Sequence, residues 1–133
     1  MGTFDRILVS VDGSRHSLDA VCLAARLAKI HDSALVILHV IDETLLDQLS
    51  RFSQKNRDAV REELRNSARG FLDDMKCEAS KELVGTIEVS IKEGVPHEEI
   101  LKEASAWRMD LIIMENSAGE ESPTFSSAAS PSG

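Results

Sequence analysis

The spacing of apolar residues changes several times along the chain and predicts alternating strands and helices. Residues 5–11 form a short β-branched apolar run closed by Asp12, which predicts a buried strand and a turn. A helix is predicted over 14–31, because apolar residues recur there at three- and four-residue steps. Residues 34–41 are apolar at nearly every position, which is typical of a parallel strand covered on both faces.

The second half of the chain continues this alternation. A long helix is predicted over 54–83, a strand over 86–92, a helix starting at Pro96 and a fourth strand over 110–114. The order β-α-β-α-β-α-β implies right-handed crossovers and an open, doubly wound, mostly parallel sheet. Helices then cover both faces, which gives a three-layer α/β/α architecture. Ligands of such sheets bind beyond the carboxyl ends of the strands.

A loosely patterned stretch separates the second strand from the long helix. Its large apolar residues are Leu45, Leu46, Leu49 and Phe52. They form either a lid or partner patch, or a group buried beneath the long helix. Burial is the favoured interpretation.

The charge balance restricts the partners that the chain can bind. Its 133 residues include 15 Lys and Arg against 23 Asp and Glu, a net charge of −8. This acidic balance argues against nucleic acid and anionic membrane as partners. Cys22 and Cys77 lack CxxC spacing and the histidines are scattered, so neither a disulfide framework nor a metal site is expected. Without a membrane-length apolar run, the sequence predicts a cytoplasmic protein.

The composition changes sharply after Met114. Residues 115–133 contain six serines, two prolines and three glutamates, and no lysine or arginine. Such a segment buries too little apolar area to offset its ordering entropy. The sequence therefore predicts a folded domain over residues 1–114 and a disordered tail over 115–133.

The common catalytic and nucleotide-binding motifs are missing. The loop after the first strand holds one glycine, Gly13, so neither GxGxxG nor GxxxxGK[ST] is present. No GxSxG sequence occurs, and Cys22 belongs to an apolar helix face where a thiol packs rather than reacts. Dinucleotide-binding dehydrogenases and P-loop enzymes are thereby excluded.

Several segments together carry a family resemblance. They are ILVSVDGS at 7–14, LVILHV at 35–40, GVPHEEIL at 94–101 and DLIIM at 110–114. In their order and spacing, residues 4–114 resemble the universal stress protein family. The resemblance implies a Rossmann-like, adenine nucleotide alpha hydrolase-like fold with five parallel strands. It also implies a homodimer, and the family includes both ATP-binding members and members that bind no ATP.

The resemblance implies a nucleotide crevice at four residues. The acidic residue after the first strand meets the ribose or base region in ATP-binding members, which points to Asp12 beside Val11. Backbone at the end of the second strand meets adenine, which points to Val40, and Met114 borders the same crevice. A carboxylate accepts from ribose hydroxyls, and strand-end backbone pairs with an adenine edge. Alternatively, Asp12 forms an Asx turn, and Val40 and Met114 are core or crevice wall.

The chain departs from the family after Met114. ATP-binding members continue with a glycine-rich loop that wraps the phosphates, and the usual last helix and strand follow. The four positions that would carry the loop's motif hold Glu115, Ala118, Ala128 and Ala129. Either this is the natural tail of a truncated relative, or an altered reading frame has replaced the usual ending.

The resemblance and the departure together define two functional hypotheses. The first is a non-enzymatic regulatory module of the stress response that binds ATP or another adenine nucleotide weakly. The second is an interaction or dimerisation protein of the same fold that binds no nucleotide, although the family's usual fifth-strand seam is missing. An enzyme is not expected, because no nucleophile, base and orienting group converge in the sequence.

Overall fold

The computed structural model describes residues 5–82, 85–114 and 124–127, and places a five-stranded sheet between two helical layers. The elements are β1 Arg6–Ser10, α1 Arg15–His31, β2 Ala34–Asp42, α2 Glu43–Ser53, α3 Arg57–Glu82, β3 Ile87–Gly94, α4 Pro96–Ala106, β4 Leu111–Met114 and β5 Thr124–Ser127. The strand order is β3-β2-β1-β4-β5, and the pairings among β1 to β4 are parallel. The predicted doubly wound α/β architecture is confirmed.

Two apolar cores lie on opposite faces of the sheet. Leu35 and Ile37 of β2 belong to the core that also includes residues of α1 and α3. Val36, Leu38 and Val40 belong to the core that includes residues of α4. Because β2 contributes to both cores, all these side chains are buried, and its near-continuous apolar sequence is explained.

Local capping positions the first helix after β1. The Ser14 hydroxyl accepts a hydrogen bond from the backbone N–H of Ser17 at 3.3 Å, as an N-cap residue does. At the other end, Asp32 adopts a left-handed conformation with φ 54° and its N–H donates to the Ala28 carbonyl. The helix predicted over 14–31 is therefore confirmed at both ends.

The stretch between β2 and α3 differs from the prediction. It forms the helix α2, whose N-cap is Asp42. Leu46 is fully buried, but Leu45, Leu49 and Phe52 are exposed, Phe52 by 87%. The prediction of burial was right for Leu46 and wrong for the other three. The helix thus presents an apolar face to solvent.

The chain also contains a strand that the sequence did not predict. Residues Thr124–Ser127 form β5, which pairs antiparallel with β4 over four residues. This four-residue segment has one large apolar residue and lies among serines and prolines, so its sequence shows no strand pattern. Position 83 of the predicted long helix, and positions 115, 118, 128 and 129, lie outside the described residues. The domain boundary after residue 114 stays a prediction.

Candidate functional site at the carboxyl edge of the sheet

The carboxyl ends of β1, β2 and β4 meet at a cavity of about 520 Å³. This volume falls in the range of small-molecule sites, and the position is the one expected for ligands of an open parallel sheet. Its wall consists of Ser10, Val11, Asp12, His39, Val40, Ile41, Asp42, Leu45, Leu64, Pro96, Ile100 and Met114. All four residues predicted from the sequence line this one cavity. Their role as ligand contacts stays a prediction.

The Asp12 carboxylate is built into the turn between β1 and α1. Its Oδ1 accepts hydrogen bonds from the Ser14 backbone N–H at 2.9 Å and from the Ser17 hydroxyl at 2.8 Å. The Ser17 Oγ in turn accepts from the Asp12 backbone N–H at 2.8 Å, and Ser17 is fully buried. The Asx-turn interpretation of Asp12 is therefore confirmed, and the same bonds fix Asp12 at the cavity wall.

His39 forms a part of the wall that sequence reasoning did not assign to the site. Its Nδ1 lies 2.8 Å from the carbonyl oxygen of Val11. Because a carbonyl oxygen only accepts, Nδ1 carries the proton and donates. The ring also contacts Phe71 edge-on, with centroids 5.0 Å apart at 90°. His39 is therefore both packed and hydrogen-bonded, and it forms part of the cavity wall.

The end of β2 supplies a second carboxylate to the wall. Asp42 caps α2, and its Oδ1 accepts from the Thr44 backbone N–H at 2.9 Å. Leu45 follows on the first turn of α2 and lines the cavity while remaining 45% exposed. An acidic residue directly after an apolar run was the sequence feature that marks this cap. It was not used to predict a site residue.

The side of the cavity next to α4 is apolar. Val40 is buried in the core that α4 covers, and Met114 packs against that core. Both line the cavity, so the prediction that they form core or crevice wall is confirmed. Pro96 and Ile100 of α4 complete this side, after the turn at Gly94, whose φ is 150°. Gly94 itself is not part of the wall.

The charges at the cavity all have one sign. Asp12 and Asp42 are its carboxylates, and no lysine or arginine is among the described lining residues. Across 5–82, 85–114 and 124–127, no three His, Cys, Asp or Glu side chains gather as a metal site would require. Nor does any helix in these ranges have the length and apolarity to cross a membrane. The cavity combines apolar walls, carboxylate acceptors and strand-end backbone, which suits an uncharged ring or a hydroxyl-bearing group.

The chain is similar to known proteins in both sequence and structure. Residues 3–124 match the model of the Universal stress protein family. Universal stress protein YxiE from Bacillus subtilis (strain 168) is 30% identical over 116 residues, which cover 84% of this chain and 78% of that protein. The structure of the hypothetical protein MJ0577 superposes with a TM-score of 0.69 at 26% identity, covering 83% of this chain and 73% of that one.

A further solved relative contains a nucleotide. The crystal structure of a universal stress protein in complex with cAMP has a TM-score of 0.63 and 19% identity. The match covers 82% of this chain and 70% of that chain. At this identity the similarity establishes the shared fold.

Proposed function

Because this chain is a member of the universal stress protein family, we propose that it is a non-enzymatic regulatory module that binds an adenine nucleoside or nucleotide. The observation that supports the proposal most directly is the cavity at the carboxyl edge of the sheet. Val11, Asp12, Val40 and Met114, chosen from the sequence alone, line it together. The cAMP complex of a protein with the same fold adds support for an adenine ligand.

The chemistry of the cavity favours the nucleoside part of such a ligand. Apolar walls from Val40 and Met114 suit a flat ring, and the Asp12 carboxylate suits ribose hydroxyls. The described wall residues include no lysine or arginine that could pair with a phosphate. Residues 115–133 add three glutamates and no lysine or arginine. Each added phosphate therefore weakens binding by electrostatic repulsion. We expect the affinity to fall in the order adenosine, AMP, ATP.

The arrangement around His39 supports a role without catalysis. His39 is the only imidazole among the described wall residues, and its Nδ1 is engaged with the Val11 carbonyl. Nucleophilic catalysis requires a nucleophile, a base and an orienting group in mutual contact. The expected result is no phosphate release from ATP above a blank without protein. Release that disappears in His39→Ala would contradict this part of the proposal.

Isothermal titration calorimetry with adenosine, AMP and ATP tests the binding proposal. The informative variant is Asp12→Asn, because its amide oxygen still accepts the hydrogen bonds of the turn while the charge is lost. We expect saturable binding of adenosine in the wild type and roughly tenfold weaker binding in Asp12→Asn. Asp74→Asn removes the same charge from an exposed position on α3 and serves as the control. Absence of heat with every ligand at millimolar concentration would refute the proposal.

The second candidate is an interaction protein of the same fold that binds no nucleotide. It is favoured by the sequence at 115, 118, 128 and 129, where none of the family's motif glycines occurs. The same titration separates the two candidates, since a null result with all three ligands selects the second. Under either candidate we propose a cytoplasmic location, consistent with the two free cysteines Cys22 and Cys77.

A further inference from the structure

We propose that the outer edge of β3 binds a second copy of this chain, in an antiparallel two-fold pairing centred on Ser90. Among the described strands, β3 pairs only with β2 and lies at the end of the sheet. Its register with β2 runs without interruption from Ile87 to Gly94. Natural edge strands are usually protected by shortness, proline, a bulge or charged side chains. β3 has eight residues, no proline and no interruption of its register, and its charges at Glu88 and Lys92 are opposite in sign, whereas β5 at the other edge has only four residues.

The backbone of β3 has the orientation that such pairing needs. The Leu35 N–H donates to the Thr86 carbonyl at 2.9 Å, so position 86 directs its backbone groups toward β2. Backbone direction alternates along a strand, so positions 88, 90 and 92 also face β2. Positions 87, 89, 91 and 93 therefore present their N–H and C=O groups to the outside. These outward groups are the ones that an added strand would bond.

A two-fold axis at Ser90 makes the charges complementary. Glu88 then lies opposite Lys92 of the second copy, and by symmetry Lys92 lies opposite Glu88 of the second copy. Val89 lies opposite Ile91 of the second copy in the hydrogen-bonded positions. Opposite charges and β-branched residues at directly facing positions both stabilise antiparallel strands. The charged pairs fall in the non-hydrogen-bonded positions, where Cα atoms approach to about 4.5 Å.

The helices on each face show where these pairs would lie. Lys92 Nζ is 3.4 Å from Glu103 Oε1 on α4, so even-numbered side chains of β3 face the α4 layer. Glu93 pairs with Arg61 of α3, so odd-numbered side chains face the α3 layer. The charged and apolar pairs therefore separate onto opposite faces. Lys92 has three donors and is 44% exposed, so it can contact Glu103 and the second copy together.

Neighbouring registers do not give this complementarity. A pairing centred on Val89 places Glu88 opposite Ser90, and one centred on Ile91 places Lys92 opposite Ser90. Both ion pairs are lost in each case. The register centred on Ser90 is therefore the one that the charges select.

Sedimentation equilibrium over a range of concentrations tests the dimer and its charges. We expect the wild type to dimerise reversibly, and Glu88→Lys to raise the dissociation constant roughly tenfold or more. Lys92→Glu is expected to do the same. An equimolar mixture of the two variants should recover association, because every facing pair in the mixed dimer is again opposite in charge. Asp74→Lys makes an equal charge change on the exposed face of α3 and should leave the dissociation constant unchanged.

Disulfide cross-linking tests the register and leaves the Lys92–Glu103 pair intact. In a Cys22→Ala, Cys77→Ser background, Ser90→Cys brings two thiols together across the two-fold axis, within the Cα separation that a disulfide needs. Glu88→Cys places them about 14 Å apart in this register and should not cross-link. Three results would each overturn the proposal: a wild type that stays monomeric at every concentration, a dimer unaffected by Glu88→Lys, or faster cross-linking by Glu88→Cys.

Discussion

Gly13 lies so close to Phe71 that a Cβ added at position 13 would be 2.9 Å from two carbons of the aromatic ring. The backbone of Gly13 also has φ 89°, a region that other residues rarely adopt. The turn that carries Asp12 to the cavity therefore requires glycine for two independent reasons. Phe71 in turn contacts His39, so this packing extends to the cavity wall.

Gly13→Ala is expected to destabilise the fold. Backbone strain and the clash with Phe71 together should lower the free energy of unfolding by about 1–3 kcal/mol. Urea denaturation followed by circular dichroism measures the change. Replacing Phe71 by leucine removes the ring and makes room beside position 13. Gly13→Ala should therefore lower the free energy of unfolding less in a Phe71→Leu background. Equal losses in the two backgrounds would show that the ring contact is unimportant.

Gly70→Ala should have the opposite effect. Gly70 lies inside α3, is exposed, and a Cβ there would meet nothing within 4 Å. Alanine reduces the conformational freedom of the unfolded chain and favours the helix, so stability should rise by about 0.5–1 kcal/mol. The same urea experiment serves for both glycines. A destabilised Gly70→Ala would mean that α3 needs glycine at this position for a reason beyond space.

Ser17→Ala removes the buried hydroxyl that holds Asp12. The loss of its bonds to the Asp12 N–H and Oδ1 should lower the free energy of unfolding by about 1–3 kcal/mol. If the proposed site is correct, adenosine affinity should fall as well, because Asp12 is no longer fixed at the wall. Ser80→Ala, which removes an exposed hydroxyl bonded to the Lys76 carbonyl, should change stability by less than about 0.5 kcal/mol. Equal effects of the two substitutions would argue against a special role for Ser17.

The two thiols should react at different rates. Cys77 is exposed, whereas burial, aided by the charge of Glu78, raises the pKa of Cys22. Iodoacetamide at pH 8 is therefore expected to alkylate Cys77 well before Cys22, as peptide mass spectrometry would show. Faster labelling of Cys22 would contradict the assigned burial.

The raised pKa of Cys22 also predicts an alkaline loss of stability. The folded state holds the thiol proton more tightly than the unfolded state does. The resulting stability is present below the unfolded pKa, about 8.5, and is lost as the pH rises through the folded value. The slope of unfolding free energy against pH should thus be shallower in Cys22→Ala than in the wild type above pH 8.5. Identical slopes would exclude the contribution of Cys22.

The sequence predicted the centre of the sheet better than its periphery. The apolar run of β2 predicted a strand covered on both faces, which the two cores confirm. The residue after the first strand had to lie at the carboxyl edge of the sheet, and Asp12 lies there. The spacing of apolar residues does not show whether another element will cover an apolar helix face, and Phe52 of α2 remains exposed. The alternation in β3 predicts a strand with one better-buried face, yet Val89 on the apolar face is 36% exposed because β3 lies at the edge of the sheet. Asp42 follows an apolar run as a helix cap does, but no sequence pattern showed that it would also line the cavity.

The position of β1 between β2 and β4 constrains the time at which the fold can be completed. The Asp110 carboxylate accepts hydrogen bonds from the backbone N–H groups of Asp5 and Arg6, and the first of these contacts spans 105 residues. During synthesis, β1 can pair with β2 early, but its other edge waits until β4 has left the ribosome. Contacts of such separation slow folding and leave apolar strand surface exposed meanwhile. One edge of β1, among the most apolar strands of the sheet, therefore stays unpaired from the time β2 is available until β4 has been synthesised.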